Sequence, residues 1–143
     1  MQILFLGSFF PDSKKEEIIK NSKGVIQNAG DTYQKSILNG LCNYYKNIEI
    51  ITSPMIGSYP FRYKKALFRG CNFKYKNLNN CLCTSFINIP FYKIQSRYFQ
   101  VKKELNKWAV KNSSNKYIIL FSLDLSLLKA ACEIKEKNSE IKI

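Results

Sequence analysis

Four consecutive apolar residues, Ile3 to Leu6, run into the small residues Gly7 and Ser8. That pattern predicts an opening strand buried on both faces of a parallel sheet, and the carboxyl end of such a strand is where α/β folds bind ligands. The connection that follows, from Ser8 to Gly30, is far longer than the usual βα loop of about two to six residues, so function is expected in it. Within it, Asp12 to Ile19 reads as a short helix capped by Asp12 or Ser13. From Thr32, the positions of Tyr33, Ile37, Leu38, Leu41 and Tyr45 follow helical spacing, with Gly30 or Asp31 placed to cap the start. Ile48 to Thr52 is the second predicted strand. It closes a β-α-β unit whose crossover is right-handed by general rule.

The stretch from Ser53 to Asn80 breaks the alternation. It contains Pro54, Gly57, Pro60 and Gly70, and between Tyr59 and Lys76 aromatic and basic residues interleave. It reads as an excursion of loop and short helix beside the binding edge. Cys81 to Ile89 is a third predicted strand, ended by Pro90. A helix from about Ile94 to Lys111 places Tyr98, Val101, Leu105 and Trp108 on one stripe, with Lys103, Lys107 and Lys111 largely opposite. Lys116 to Phe121 is a fourth strand. Ser122, Asp124 or Ser126 then caps a last helix carrying Leu127, Leu128, Ala131 and Ile134. Ile141 to Ile143 resembles the start of a further strand, from which the chain is expected to be a fragment of a longer protein. The fold class that follows is α/β, a single three-layer domain over residues 1–143 built on a mostly parallel, Rossmann-like sheet.

Composition narrows the chemistry. With 143 residues, 45% hydrophobic and 14% aromatic, the chain can fold around one core. It contains no run of the ~18 apolar residues that spans a bilayer, and it opens without a basic leader, so a cytoplasmic location is expected. Five cysteines, an odd number at irregular positions, match neither a disulfide framework nor a zinc site, and Cys81 and Cys83 read as reduced thiols packed on one strand face. The absence of histidine excludes imidazole ligation and His-based acid–base catalysis. A formal net charge of +13 points to an anionic partner: nucleic acid, phospholipid headgroups or a sugar nucleotide. All basic residues except Arg62, Arg69 and Arg97 are lysine, which argues against base-edge readout, since that favours the Arg fork.

Two segments carry a family resemblance: Ile3-Leu4-Phe5-Leu6-Gly7-Ser8-Phe9-Phe10-Pro11, and the run from Ala29-Gly30-Asp31-Thr32 through Leu41. With the order of elements, they resemble the N-terminal domain of retaining glycosyltransferases of GT-B architecture, the bacterial surface-polysaccharide family often called family 4 or group 1. The resemblance implies two Rossmann-like domains facing across a cleft. The C-terminal one, which also carries a pair of glutamates seven residues apart, holds most of the nucleotide-sugar donor. The chain would then be the acceptor-side half, with the donor half absent, and inactive alone; no metal or cofactor is implied beyond the donor as substrate. Gly30, Asp31, Thr32 and Ser8 would line the cleft or approach the donor phosphates. Ser122, Asp124, Arg62 and Tyr63 would lie on the acceptor side, facing a glycan or lipid-linked acceptor. Many relatives have Gly-Gly in place of Ala29-Gly30, and many carry a histidine where this chain has Ser122-Leu123-Asp124.

Plainer readings stand beside these. Gly30 can be an ordinary glycine at a helix start, and Asp31 and Asp124 can be caps rather than sugar ligands. The aromatic–basic segment can pack its rings on the sheet, face an acceptor or an anionic membrane, or stack on nucleic acid. The helix beginning near Ile94 can be an ordinary layer helix or a membrane-surface element. The runner-up function is a non-catalytic basic α/β module that binds anionic membrane or nucleic acid.

Overall fold

The computed structural model describes residues 1–111, 115–122 and 124–143. The apolar run at the start forms β1 (Gln2–Gly7), whose residues from Ile3 onward are all buried. Two helices follow, α1 (Asp12–Asn21) and α2 (Asn28–Tyr44), then β2 (Ile48–Thr52), parallel to β1 with Phe5 beside Ile50. The segment after Ser53 holds no helix before residue 92. It contains the short β3 (Leu67–Phe68), then β4 (Cys71–Tyr75) and β5 (Leu78–Cys83), which pair antiparallel as a hairpin, and β6 (Phe86–Ile87), which pairs with β3. The last part runs α3 (Tyr92–Ala109), β7 (Lys116–Phe121), α4 (Leu125–Lys137) and β8 (Ile141–Lys142).

The main sheet has the order β4-β5-β2-β1-β7-β8, parallel throughout except for the edge strand β4. Because β1 is central, its side chains alternate between two apolar layers. Ile3 and Phe5 face a core with Ile48, Ile50, Ile18 of α1 and Leu38 of α2. Leu4 and Leu6 face the other core, made by Ile51, Ile118, the α3 stripe of Tyr98, Val101, Leu105 and Trp108, and Leu127, Ala131 and Ile134 of α4. The result is a three-layer α/β arrangement compatible with a Rossmann-like fold.

Several expectations shift. The strand expected over Cys81–Ile89 is two strands in different sheets: β5 begins at Leu78, and the chain leaves the main sheet after Cys83 to form β6. Backbone crowding marks the place where this happens. A Cβ on Gly70 would lie 1.9 Å from the Cys83 carbonyl oxygen, so only glycine lets the β3–β4 connection pass there. Cys81 and Cys83 are both buried on β5 and free, as read from the sequence. Leu128, Tyr33 and Tyr45 are exposed rather than in the core. On α2 the buried side chains are Asp31, Gln34 and Leu38, two of them polar, which apolar periodicity does not register.

Gly70→Ala is expected to destabilise the domain by about 2 kcal/mol or more, because the contact is with backbone that cannot swing aside. Urea denaturation reads this directly, and an unchanged midpoint would contradict the close approach.

Candidate functional site

The chain passes outward from β1 through β2 and β5, then crosses to the other side of β1 to lay down β7 and β8. The point where strand order reverses is therefore between β1 and β7, and a crevice above the carboxyl ends of those strands is where such sheets take ligands. A cleft of about 170 Å³ lies there, lined among others by Ser8, Gly30, Asp31, Gln34, Phe121 and Ser122. The larger hollow, about 520 Å³, sits at the opposite, amino-terminal end of the strands, beside Gln2, Ile48 and Asn79. Open-sheet topology favours the smaller one as the functional cleft.

The cleft floor is the turn after β1, and α2 holds it with polar side chains. The Ser8 N–H donates to Gln34 Oε1 at 2.8 Å, and Gln34 Nε2 donates back to Ser8 Oγ at 3.2 Å. One helical turn away, Asp31 Oδ1 accepts the Phe10 N–H at 2.7 Å. Thr52 at the end of β2 donates its hydroxyl to the Phe9 carbonyl at 2.7 Å, and the Ser53 N–H reaches the Gly7 carbonyl at 2.9 Å. Gly7 leaves room for this packing, since a Cβ there would stand 2.6 Å from Gln34 Oε1 and push that amide aside.

Of the expected cleft residues, Ser8, Gly30 and Asp31 are brought together, and Ser122, expected on the acceptor side, lies with them. Asp31 is neither helix cap nor free ligand: it is 4% exposed, and Lys35 Nζ sits 3.3 Å from its second oxygen. Thr32 lies on the exposed side of α2, within the helix, because α2 begins at Asn28 and not at Thr32. Its N-cap is Gln27, without a side-chain bond, and the Asp31 N–H to Gln27 carbonyl contact is the first along the helix. The amides of Ala29 and Gly30 thus belong to the first turn, whose N–H groups have no intrahelical partner and carry the positive end of the helix dipole. Among the described residues, a Cβ on Gly30 would meet nothing within 4 Å, so that position borders open space in the cleft.

The expected acceptor-side residues scatter. Arg62 lines an adjoining hollow of about 220 Å³ that shares Phe10, Gln27 and Met55 with the cleft. Tyr63 faces inward: it is fully buried, its hydroxyl has no hydrogen-bond partner among the described residues, and burial pushes its pKa up to about 12. It cannot meet an acceptor. Asp124 caps α4 by accepting the Ser126 N–H at 2.9 Å, and it pairs with Arg97. Leu123 lies outside the described residues.

Sequence reasoning missed Gln34, Arg97 and Lys93. Arg97 is 3% exposed and ties three elements together, donating to Ser53 Oγ at 2.9 Å, to the Ser53 carbonyl and to Asp124. Burial pushes its guanidinium down, against the pull of Asp124. A signal was present: Arg97 falls on the same helical stripe as Val101, Leu105 and Trp108, so a charge sits on the apolar face. Lys93, one turn earlier, donates to the Ile56 carbonyl, and burial followed by repulsion from Arg97 lowers its pKa to about 8. Among the described residues no group of three or more His, Cys, Asp or Glu side chains is placed to hold a metal, and no helix is long and apolar enough to cross a membrane.

No family model, curated protein or solved structure matches the chain.

Tyr63→Phe removes an unpaired hydroxyl and is expected to leave stability unchanged or raise it by up to about 1 kcal/mol; a large loss on thermal melting would mean the hydroxyl has a partner. For Lys93 the folded pKa lies below the unfolded one, so the unfolded chain binds the extra proton and the penalty of burying the charge fades as pH rises from about 8 toward 10.5. Relative to Lys93→Met, the unsubstituted protein is expected to gain on the order of 1 kcal/mol between pH 7 and pH 10, allowing for partial solvation of the ammonium. Parallel pH curves for the two proteins in urea titrations would refute this.

Proposed function

We propose that the chain is the acceptor-side half of a GT-B glycosyltransferase, which moves a sugar from a nucleotide-sugar donor to a glycan or lipid-linked acceptor in surface-polysaccharide synthesis. The observation that carries this reading is the cleft at the β1–β7 switch point, with the first turn of α2 opening into it at Gly30. It offers what a sugar or sugar phosphate needs. The early amides of α2 favour a negatively charged oxygen. Ser8 Oγ already accepts from Gln34, so its own proton is free for a ligand oxygen. Ser122 supplies a second hydroxyl from the end of β7, and Arg62 supplies positive charge from the neighbouring hollow.

The carboxylates near the cleft are committed elsewhere: Asp31 to the Phe10 amide and Asp124 to Arg97 and the α4 cap. With no histidine in the chain, this half binds and orients. The reacting groups and most donor contacts then belong to a second domain, and retention of configuration rests on the family resemblance alone. On this reading the protein works at the cytoplasmic face of a membrane, where lipid-linked acceptors are found.

Gly30→Leu separates binding from folding. A Cβ at Gly30 meets no described atom within 4 Å, and leucine favours a helix by up to about 1 kcal/mol over glycine, so melting should be unchanged or raised. In amide NMR titrations with nucleoside diphosphate sugars and sugar phosphates, the unsubstituted chain is expected to shift at Ala29, Gly30 and Ser122, and the variant is not. Absence of shifts at these positions with every ligand would remove the proposal. A coding sequence that continues beyond Ile143 into a second domain with paired glutamates would support it.

A further inference from the structure

Two segments distant in sequence, 55–67 and 86–94, are stapled into one ledge by Asn88. This residue is fully buried; its side chain donates to the Gly57 carbonyl at 2.8 Å, its N–H donates to the Ala66 carbonyl at 2.7 Å, and its carbonyl accepts the Tyr59 N–H at 2.8 Å. Beside it β3 and β6 pair. Their inward residues Phe68 and Phe86 are buried and stacked 5.0 Å apart, while their outward residues Leu67 and Ile87 face water.

The rest of the ledge is equally uncovered. Phe61 is 80% exposed and Phe91 is 93% exposed, with Tyr92 and Ile94 exposed after it. Phe91 stands at φ 69°, a left-handed conformation uncommon for a residue with a side chain. Single exposed apolar residues are ordinary, but two protruding phenylalanines with aliphatic neighbours on one stapled unit are not.

The charge carried by the two segments themselves has one sign, and the carboxylate of Glu17 on α1 meets them at Lys65, 3.1 Å away. No Asp or Glu occurs between Glu49 and Glu104. Arg62, Lys64 and Arg69 are exposed in the first segment, alternating with the buried Tyr63 and Phe68. Among the described residues, none of the three is in an ion pair.

We propose that this ledge docks on an anionic phospholipid surface, with Phe61 and Phe91 entering at headgroup level and Arg62, Lys64 and Arg69 on lipid phosphates. Aromatic rings sit at that level of a bilayer, and each nearby cation strengthens the attraction to an anionic leaflet. A second copy of the chain would oppose the same cations, which disfavours self-association. Single-stranded nucleic acid would use ring faces but has no use for the exposed aliphatics Leu67, Ile87 and Ile94. The inference does not depend on which ligand the cleft takes.

Sedimentation with phosphatidylcholine vesicles, with and without phosphatidylglycerol, tests it. The chain is expected to pellet with the anionic vesicles at low salt and to be released as salt rises. Phe61→Ser with Phe91→Ser should weaken partitioning roughly tenfold or more, and Arg62→Glu with Lys64→Glu should weaken it further and flatten the salt dependence. The phenylalanine side chains are exposed, so circular dichroism and melting of that variant should match the parent; the charge variant also gives up the exposed Lys64 Nζ bond to the Lys20 carbonyl, 2.8 Å, and should lose no more than about 1 kcal/mol. Three outcomes overturn the proposal: no pelleting at low salt, partitioning of both variants equal to the parent, or loss in the phenylalanine variant of self-association or RNA binding by a chain that ignores vesicles.

Discussion

The clamp of α2 on the turn after β1 is the contact on which the arrangement of the cleft depends. A buried carboxylate and a buried amide, Asp31 and Gln34, satisfy the amides of Phe10 and Ser8 as the chain leaves the central strand. Those N–H groups are out of reach of water, and leaving either unpaired costs about 1–3 kcal/mol. The bonds therefore fix where the turn lies, and with it where α2 starts relative to the sheet. Thr52 and Ser53 close the turn from the β2 side, so strand ends and helix form one hydrogen-bonded unit. Gly7 is the steric condition for that unit, because any side chain there would displace the Gln34 amide.

Arg97 plays the matching part on the other layer. Its guanidinium joins the end of β2 at Ser53 to the α4 cap at Asp124, and its carrier helix α3 supplies the stripe that covers Leu4 and Leu6. A buried ion pair gains little over a well-packed apolar substitute, but removing one partner leaves the other charge uncompensated. The contact is thus a determinant of geometry at the carboxyl edge more than a source of net stability. Lys93 beside it adds a second cation to the same neighbourhood, which accounts for the lowered pKa of its ammonium.

Polar function and exposed apolar surface meet at this edge. The hollow containing Arg62 adjoins the cleft through Phe10, Gln27 and Met55, and Arg62 also stands beside the protruding Phe61. A ligand in the cleft and a surface under the ledge would therefore be neighbours.

The sequence by itself determined the strands β1, β2 and β7 and the stripes of α3 and α4. Each is a run long and apolar enough for periodicity to speak without tertiary help. It also put Ser8 and Gly30 together, since small residues at a strand end and a helix start follow from the β-α-β order, whereas Ser122 joins them only in the folded chain. The tertiary structure decided the rest. Asp31, Gln34 and Arg97 are buried because specific partners satisfy them; Arg97 shows in the sequence only as a charge on the apolar stripe of α3, and Asp31 and Gln34 leave no mark in hydrophobic periodicity. The same holds for Tyr63, which looked available in a basic, aromatic stretch until packing turned it inward. The split of Cys81–Ile89 into two sheets depended on Gly70 meeting the Cys83 carbonyl across the fold, a contact between residues that only folding brings together.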